Sequence, residues 1–527
     1  VKPASFSIIR RHARRHLAIL LVLLFVAPWH FAWTSNAALG DIGADGPYYL
    51  MMAEDYSPYQ ARDPVYRETA TYSRFPPLYP MVLAGLGAAD ELSRAHQVTT
   101  GCLLLALLAF YGWLLQAGLS PGPSSLLVLL FAVLPGTWML GLFVQSEYLY
   151  LFLSLLAITL MQSYRARTRP ELPSSELLYA AALSTAAAVL TRTVGVSLLP
   201  PLLLMLWRAP RRTAAACCCI SLFPPVAWQL VHRSHLGYAE AWSSIYGAGG
   251  WAFLRHQLLA ELPALRDGFI ANFLHDGTAL RPLAYVLGLI GLGAAALRMI
   301  RLKPDAVYVF VHLAILLVWP YPEEARRFMW VLLPVLLAQP LIEYRERRGA
   351  AADVRPLGIA IVALALAILA MALPALAFGV ERYRAAADSD LPGAAGFLLW
   401  YRTDPAAATQ AVTVQQSIIN SLRLMPDHVP ASDCVISTRP DLVNYFGRRR
   451  SVVPPLNSIP EPYFTVGIRR TGCHFVFAMI GTDSRFPLPM HPVQRLQSEL
   501  EPVYVTNAPD EVAASHPVIA ALLKLRN

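Results

Sequence analysis

The sequence predicts a mostly α, polytopic membrane protein with a soluble α/β domain at its C-terminal end. Three observations carry that fold class. Of 527 residues, 56% are hydrophobic and only 15% are charged, against about 25% charged in soluble domains. The mean hydropathy is +0.45. Apolar runs recur from Leu17 to Val380, and from Glu381 the composition turns to that of an ordinary soluble domain. The expected division is therefore a membrane domain at 1-380, with an outer loop at 35-79, and an extracytoplasmic α/β domain at 381-527.

The first run, Leu17–Trp33, follows a basic flank of Lys2, Arg10, Arg11, Arg14 and Arg15. Ala37-Ala38-Leu39-Gly40 is only faintly like a cleavage site, and the run ends in aromatics (Trp29, His30, Phe31, Trp33), so it reads as a retained helix. Further runs are Val98–Leu115, Leu126–Leu142, Tyr148–Met161, Leu177–Leu190, Val194–Trp207, Ala214–Val231, Leu283–Leu297, Ala306–Trp319, Phe328–Leu341 and Leu357–Val380. Several fall short of the roughly 20 residues of a clean span, which tilt and local thinning can offset. Leu78–Ala88, behind Pro76 and Pro77, reads as an interfacial helix.

About eleven transmembrane helices with the N-terminus inside leave four segments in the cytoplasm: Arg165 to Arg169, Arg208 to Arg212, Arg298 to Lys303 and Glu343 to Arg348. All four are basic, as the positive-inside rule requires. Counting Leu78–Ala88 as a span would place all four outside. The net charge of +9 is then a loop bias, with no need of nucleic acid. The outer side receives the Ser35–Tyr79 loop, Gln145-Ser146-Glu147, Thr191-Arg192, a long loop from His232 to Leu280, Pro320 to Arg327, and everything after Val380.

In the soluble part, Ala406–Leu424 reads as an amphipathic helix, and Cys434 to Ser437 and His474 to Ala478 as short buried strands. Pro440–Phe446 reads as a short helix closed by Gly447. Of six cysteines, Cys102, Cys217, Cys218 and Cys219 lie in apolar runs. Cys434 and Cys473 either pair across an oxidising compartment or stand as two buried thiols. No metal-ligand spacing appears, and His232, His235, His256 and His275 are scattered along an outer loop.

The stretch Gly43 to Ala53 puts the carboxylate of Asp45 just after the first span, and Arg74-Phe75-Pro76-Pro77-Leu78-Tyr79-Pro80 follows about twenty residues later. An ionisable group at the hydrocarbon boundary is a functional candidate by default. Asp45-x-x-x-Tyr49 and Phe75 to Pro80, with Ser146-Glu147, Thr191-Arg192, Arg326-Arg327 and the Ser437 to Arg448 stretch, resemble the C-type (GT-C fold) membrane glycosyltransferases. The likeness is to bacterial relatives of dolichyl-phosphate-mannose protein mannosyltransferases and of aminoarabinose transferases. Gly46 stands where many relatives carry a second acid, with Asp41 upstream instead. Phe75 stands where aminoarabinose-type relatives often carry Lys.

The resemblance implies an inverting transfer of a sugar from a polyprenyl-phosphate donor to a hydroxyl on the outer face of a bacterial inner membrane. The partners would be that lipid-linked sugar, membrane lipids and a glycan, lipid or protein acceptor, with no nucleic acid and no cofactor. A carboxylate base is worth about 10²–10⁴-fold; Asp45 is the candidate, with Asp41 second. The departing phosphate wants fixed cations, for which Arg74, Arg192, Arg326 and Arg327 are candidates, with Tyr49 and Glu147 as further substrate contacts. Each has a plainer role open to it. Asp45 can cap a helix over Pro47–Asp55, Glu147 can cap its own span or pair with Arg192, and Arg326 and Arg327 can anchor at headgroups. Two other functions remain: a polyprenyl-lipid transporter or flippase, and a transferase using a diphosphate-linked donor. In the last, Asp41, Asp45 and Glu147 would ligate Mg²⁺ or Mn²⁺.

Overall fold

The computed structural model describes residues 4–35, 45–73, 75–167, 175–231, 250–274, 279–319, 325–348, 355–387, 405–455, 459–479, 491–507 and 518–526. It divides into two compact units. The first comprises Val1–Ser35, Arg74–Val82 and Glu91–Val380, and the second Asn36–Ser73, Leu83–Asp90 and Glu381–Asn527. The segment expected as an outer loop therefore groups with the C-terminal residues.

Among the described residues of the first unit, six helices are long and apolar enough to cross a membrane: Leu92–Gln116, Glu147–Ala166, Arg211–Val231, Arg281–Ile300, Ala325–Arg348 and Pro356–Ala377. Five shorter apolar helices are His16–Ala32, Pro121–Ala132, Ser175–Thr191, Thr193–Leu206 and Pro304–Leu317. The chain is a membrane protein, and length and composition alone assign six spans. The run Leu126–Leu142, expected as one helix, is broken into Pro121–Ala132 and Pro135–Leu140. Pro135 forces Leu134 into extended backbone (φ −60°, ψ 139°), since the residue before a proline avoids the helical region.

The helix Ala325–Arg348 is the most enclosed, with 89% of its apolar window buried, against 11% for Arg211–Val231. Trp330, Leu332, Leu333 and Val335 are fully buried, as expected of a helix apolar on every side. Against it pack Arg281–Ile300 and a helix absent from the sequence expectation, Gly250–Ala271. The sequence reading places this segment within a long outer loop, and among the described residues that loop contains a 22-residue helix. Arg255, Glu261, Arg266, Asp267 and Pro263 interrupt any apolar run, but Glu261, Leu265, Gly268 and Phe269 make one buried face at helical spacing. Gly268 lets the two helices touch: a Cβ there would lie 2.8 Å from the carbonyl carbon of Ala325.

The same unit holds a buried ionic clasp. Arg298 donates to Asp305 Oδ2 through Nη2 (2.8 Å) and Nε (3.1 Å), and Gln339 Nε2 donates to the same oxygen at 3.0 Å. Arg298 and Lys303 both reach Glu346 at 2.9 Å, and Arg301 and Arg347 both pair with Glu343. The basic segments Arg298 to Lys303 and Glu343 to Arg348, which marked one side of the membrane in the sequence, are thus bonded to each other.

The second unit is built on a five-stranded sheet of order β2-β1-β3-β5-β4. Its strands are β1 Cys434–Ile436, β2 Arg450–Val452, β3 Phe475–Met479, β4 Leu500–Asn507 and β5 Val518–Leu525. β2, β1 and β3 run parallel; β5 is antiparallel to β3, and β4 to β5. Phe475, Phe477 and Met479 pack on one side with Ile418, Leu422 and Val443, and Val476 on the other with Phe464 and Ile468, the alternation a strand imposes. The helix Pro405–Arg423 and strands β1 and β3 fall where the sequence put them. Cys434 and Cys473 are paired, with Cα atoms 4.7 Å apart. The helix Pro440–Gly447 includes Gly447, and the left-handed residue that ends it is Arg448 (φ 43°). Gly447 is instead a close-packing position, where a Cβ would lie 2.9 Å from Met425 Sδ.

Candidate active site

Three of the sequence motifs converge in the membrane unit. Glu147 opens the helix Glu147–Arg167, where an acid is favoured by the helix dipole. Arg192 is the one extended residue (φ −148°, ψ 135°) between the helix Ser175–Thr191 and the 3₁₀ turn Thr193–Leu198. Arg327 lies in the first turn of Ala325–Arg348. Glu147 Oε1 accepts from Arg192 Nη1 at 2.7 Å and from Arg327 Nε at 2.8 Å. All three are buried, at 1%, 8% and 6% exposure. Arg192 Nη1 also donates to Ser146 Oγ at 3.2 Å, and its guanidinium lies 5.1 Å from the Phe328 ring centre.

Two guanidiniums sharing one carboxylate oxygen give the trio a formal charge of +1. Glu147 Oε2 is buried without a hydrogen-bond partner among the described residues. Glu147 therefore pairs with Arg192, one of the roles left open by the sequence, and with Arg327, which the sequence did not connect to it.

Arg326 turns elsewhere: its Nη2 lies 3.2 Å from Met139 Sδ, and its carbonyl accepts from Asn272 Nδ2 at 3.0 Å. Asn272 also accepts through its carbonyl from the Gly136 N–H at 3.0 Å, so the end of Gly250–Ala271 ties down both neighbouring turns. The sequence missed a buried polar cluster one turn beyond Glu147. Tyr150 Oη lies 3.4 Å from Ser197 Oγ and Tyr308 Oη and 3.5 Å from His312 Nδ1. Nothing in the sequence singled these out, because each stands alone in an apolar run.

Asp45 precedes the helix Gly46–Tyr56 and is half-buried. Its carbonyl accepts from the Tyr49 N–H at 3.1 Å, but its side chain makes no capping hydrogen bond. The carboxylate thus sits at a cap position without capping. Tyr49 is 2% exposed within the buried face that also holds Leu50, Met52 and Ala53. Asp41 and Arg74 lie outside the described residues, as do His232, His235, His275 and the side chain of His256. Phe75, Pro76 and Pro77 are buried, and Tyr79 Oη lies 2.7 Å from Thr99 Oγ1.

No protein-family model matches the sequence, and no curated protein matches it. Solved structures do match the fold. The oligosaccharyltransferase of Archaeoglobus fulgidus in its apo form shares 12% identity over 88% of this chain and 69% of its own, with a TM-score of 0.52. ArnT from Cupriavidus metallidurans bound to undecaprenyl phosphate shares 12% identity over 96% of this chain and 97% of its own, with a TM-score of 0.50. The chain has the C-type glycosyltransferase fold.

Proposed function

We propose that this protein is an inverting glycosyltransferase that moves a sugar from a polyprenyl-phosphate donor to a hydroxyl acceptor at the outer face of the membrane. The observation that carries the reading is the buried convergence of two guanidiniums, Arg192 and Arg327, on Glu147 in a chain of this fold. Departing phosphate develops negative charge, and fixed guanidiniums in a water-poor site stabilise it with little reorganisation. Glu147 holds both guanidiniums in place. Undecaprenyl phosphate bound to ArnT supports a lipid phosphate as the carrier. Asp45, whose side chain is not used as a cap, is suited to accept the proton as the acceptor hydroxyl attacks the anomeric carbon. The carbon–oxygen bond to phosphate breaks as the new glycosidic bond forms, and one displacement inverts the centre.

The diphosphate-donor alternative needs Glu147 as a ligand for a divalent ion. Its Oε1 already faces two guanidiniums, a neighbourhood that repels a cation. The test is transfer by the purified full chain in lipid vesicles, using a panel of sugars on polyprenyl phosphate. Release of polyprenyl phosphate with inverted product and undiminished activity in EDTA supports the proposal. Loss of activity in EDTA with activity on diphosphate-linked donors points to the alternative, and movement of lipid across the bilayer without transfer points to a flippase.

A further inference from the structure

Within the second unit, the helices Gly46–Tyr56 and Pro64–Tyr72 are 11 and 9 residues long, too short to be stable in isolation. They pack on each other and on the helix Pro440–Gly447. Tyr66 Oη donates to the carbonyl of Tyr445 at 2.8 Å, and the two rings stack at 6.2 Å with planes 13° apart. Asn444 Nδ2 donates to Thr69 Oγ1 at 3.1 Å, and Arg450 Nε lies 2.8 Å from Glu68 Oε1.

Arg448 joins all three helices. Its Nη1 lies 3.1 Å from Asp63 Oδ2 and 3.9 Å from Glu54 Oε1, and its guanidinium is 5.1 Å from the Tyr66 ring centre. Asp63 is itself divided between two tasks, since its Oδ1 accepts from the Val65 N–H at 2.8 Å and caps Pro64–Tyr72. The backbone of Arg448 is left-handed (φ 43°, ψ 41°), a conformation uncommon for residues with a Cβ and natural to glycine. Glycine would suit the turn better, yet the position carries a long side chain that reaches Asp63, Glu54 and Tyr66. That side chain is 53% exposed and lies outside both core clusters of the sheet, so it is not there to fill the domain's core.

We infer that Arg448 is a positioning residue for the transfer reaction, latching the helix pair that begins at Asp45 onto the C-terminal helix Pro440–Gly447. The inference rests on the proposed function in assigning Asp45 to the chemistry. Glu54 lies on the same helix as Tyr49, about two and a half turns from Asp45, so holding one end of this short helix restricts the other. A free helix pair would leave Asp45 to search for its alignment, and alignment governs rate more than donor affinity.

Arg448→Gly removes the side chain while easing the backbone, so folding is not the obstacle. Hydrogen exchange is followed by mass spectrometry on the full chain in lipid nanodiscs, beside donor kinetics. For Arg448→Gly, exchange over residues 46–72 should rise on the order of tenfold, summing an ion pair and a cation–π contact. Exchange in β3 and β5 should stay at the wild-type rate. Turnover should fall while the donor KM moves less than about twofold, and Arg448→Lys should restore part of both, having charge without the planar fork. Unchanged exchange over 46–72 overturns the latch, and so does faster exchange with unchanged turnover. An inactive wild type would defeat the functional reading alone, and the exchange measurement would still decide whether the latch exists.

Discussion

At Glu147 one carboxylate oxygen serves two guanidiniums, so its neighbours are balanced against each other as well as held. Removing one partner of a buried pair costs roughly 3–5 kcal/mol, because the other charge is left uncompensated. Arg327→Ala should therefore weaken donor binding and turnover together, since it removes a charge-assisted contact and half of the clamp on Glu147. Asp45→Asn should behave differently: turnover falls by roughly 10²-fold or more while donor affinity survives. Near-normal turnover in a folded Asp45→Asn preparation would remove Asp45 from the chemistry and leave Asp41 as the better candidate. Glu54 gives a pH prediction. Burial raises its carboxyl above the ordinary glutamate range, against the opposing pull of Arg448. A group with a raised folded value contributes stability that is present below its unfolded value and is lost as pH rises through the folded one. Thermal melts of Glu54→Gln and wild type should therefore diverge in favour of the variant as pH is raised from about 4 to about 7. A difference independent of pH would contradict this.

At the scale of elements, a buried clasp joins Arg281–Ile300, Pro304–Leu317 and Ala325–Arg348. Asp305 is fully buried and bonded to both Arg298 and Gln339. Asp305→Asn keeps the shape but removes the carboxylate nearest Arg298, leaving Glu346 as its close anion, and is expected to destabilise the unit by at most roughly 3–5 kcal/mol. A melting temperature in detergent equal to that of wild type would show that Glu346 alone suffices for Arg298. The helix Gly250–Ala271 was hidden from a hydropathy reading because its buried face is one stripe among charges. Its amphipathic period was nonetheless there to find, in Glu261, Leu265, Gly268 and Phe269. β4 and β5 were not legible in the same way. Val-Ile-Ala-Ala-Leu-Leu in β5 suits a helix by local propensity, and only pairing with β3 and β4 makes it a strand.

For the whole molecule, the eleven apolar runs fall in helical segments among the described residues, Leu126–Leu142 in two pieces, and six of the helices there reach spanning length. We propose that all eleven cross the membrane, with the N-terminus inside and the residues after Val380 outside. A reporter active only in the cytoplasm, fused after Asn527, should then be silent, and an active fusion would reverse the map. The paired Cys434 and Cys473 accord with an oxidising compartment for that end of the chain.

The sequence by itself determined the class of protein, because hydropathy and charge are sums over composition and need no partner in space. It also marked Glu147, Arg192, Arg326 and Arg327 as candidates, since charges at the ends of apolar helices stand out locally. Which of them meet was decided by tertiary structure. Glu147 and Arg327 are 180 residues apart, and consecutive arginines point to different partners, Arg327 to Glu147 and Arg326 to Met139. The grouping of the first loop with the C-terminal helix through Tyr66, Tyr445 and Arg448 was likewise invisible in sequence. Nothing local distinguishes an arginine after a helix from any other, and only the packing of distant segments gives it two carboxylates and a ring to hold.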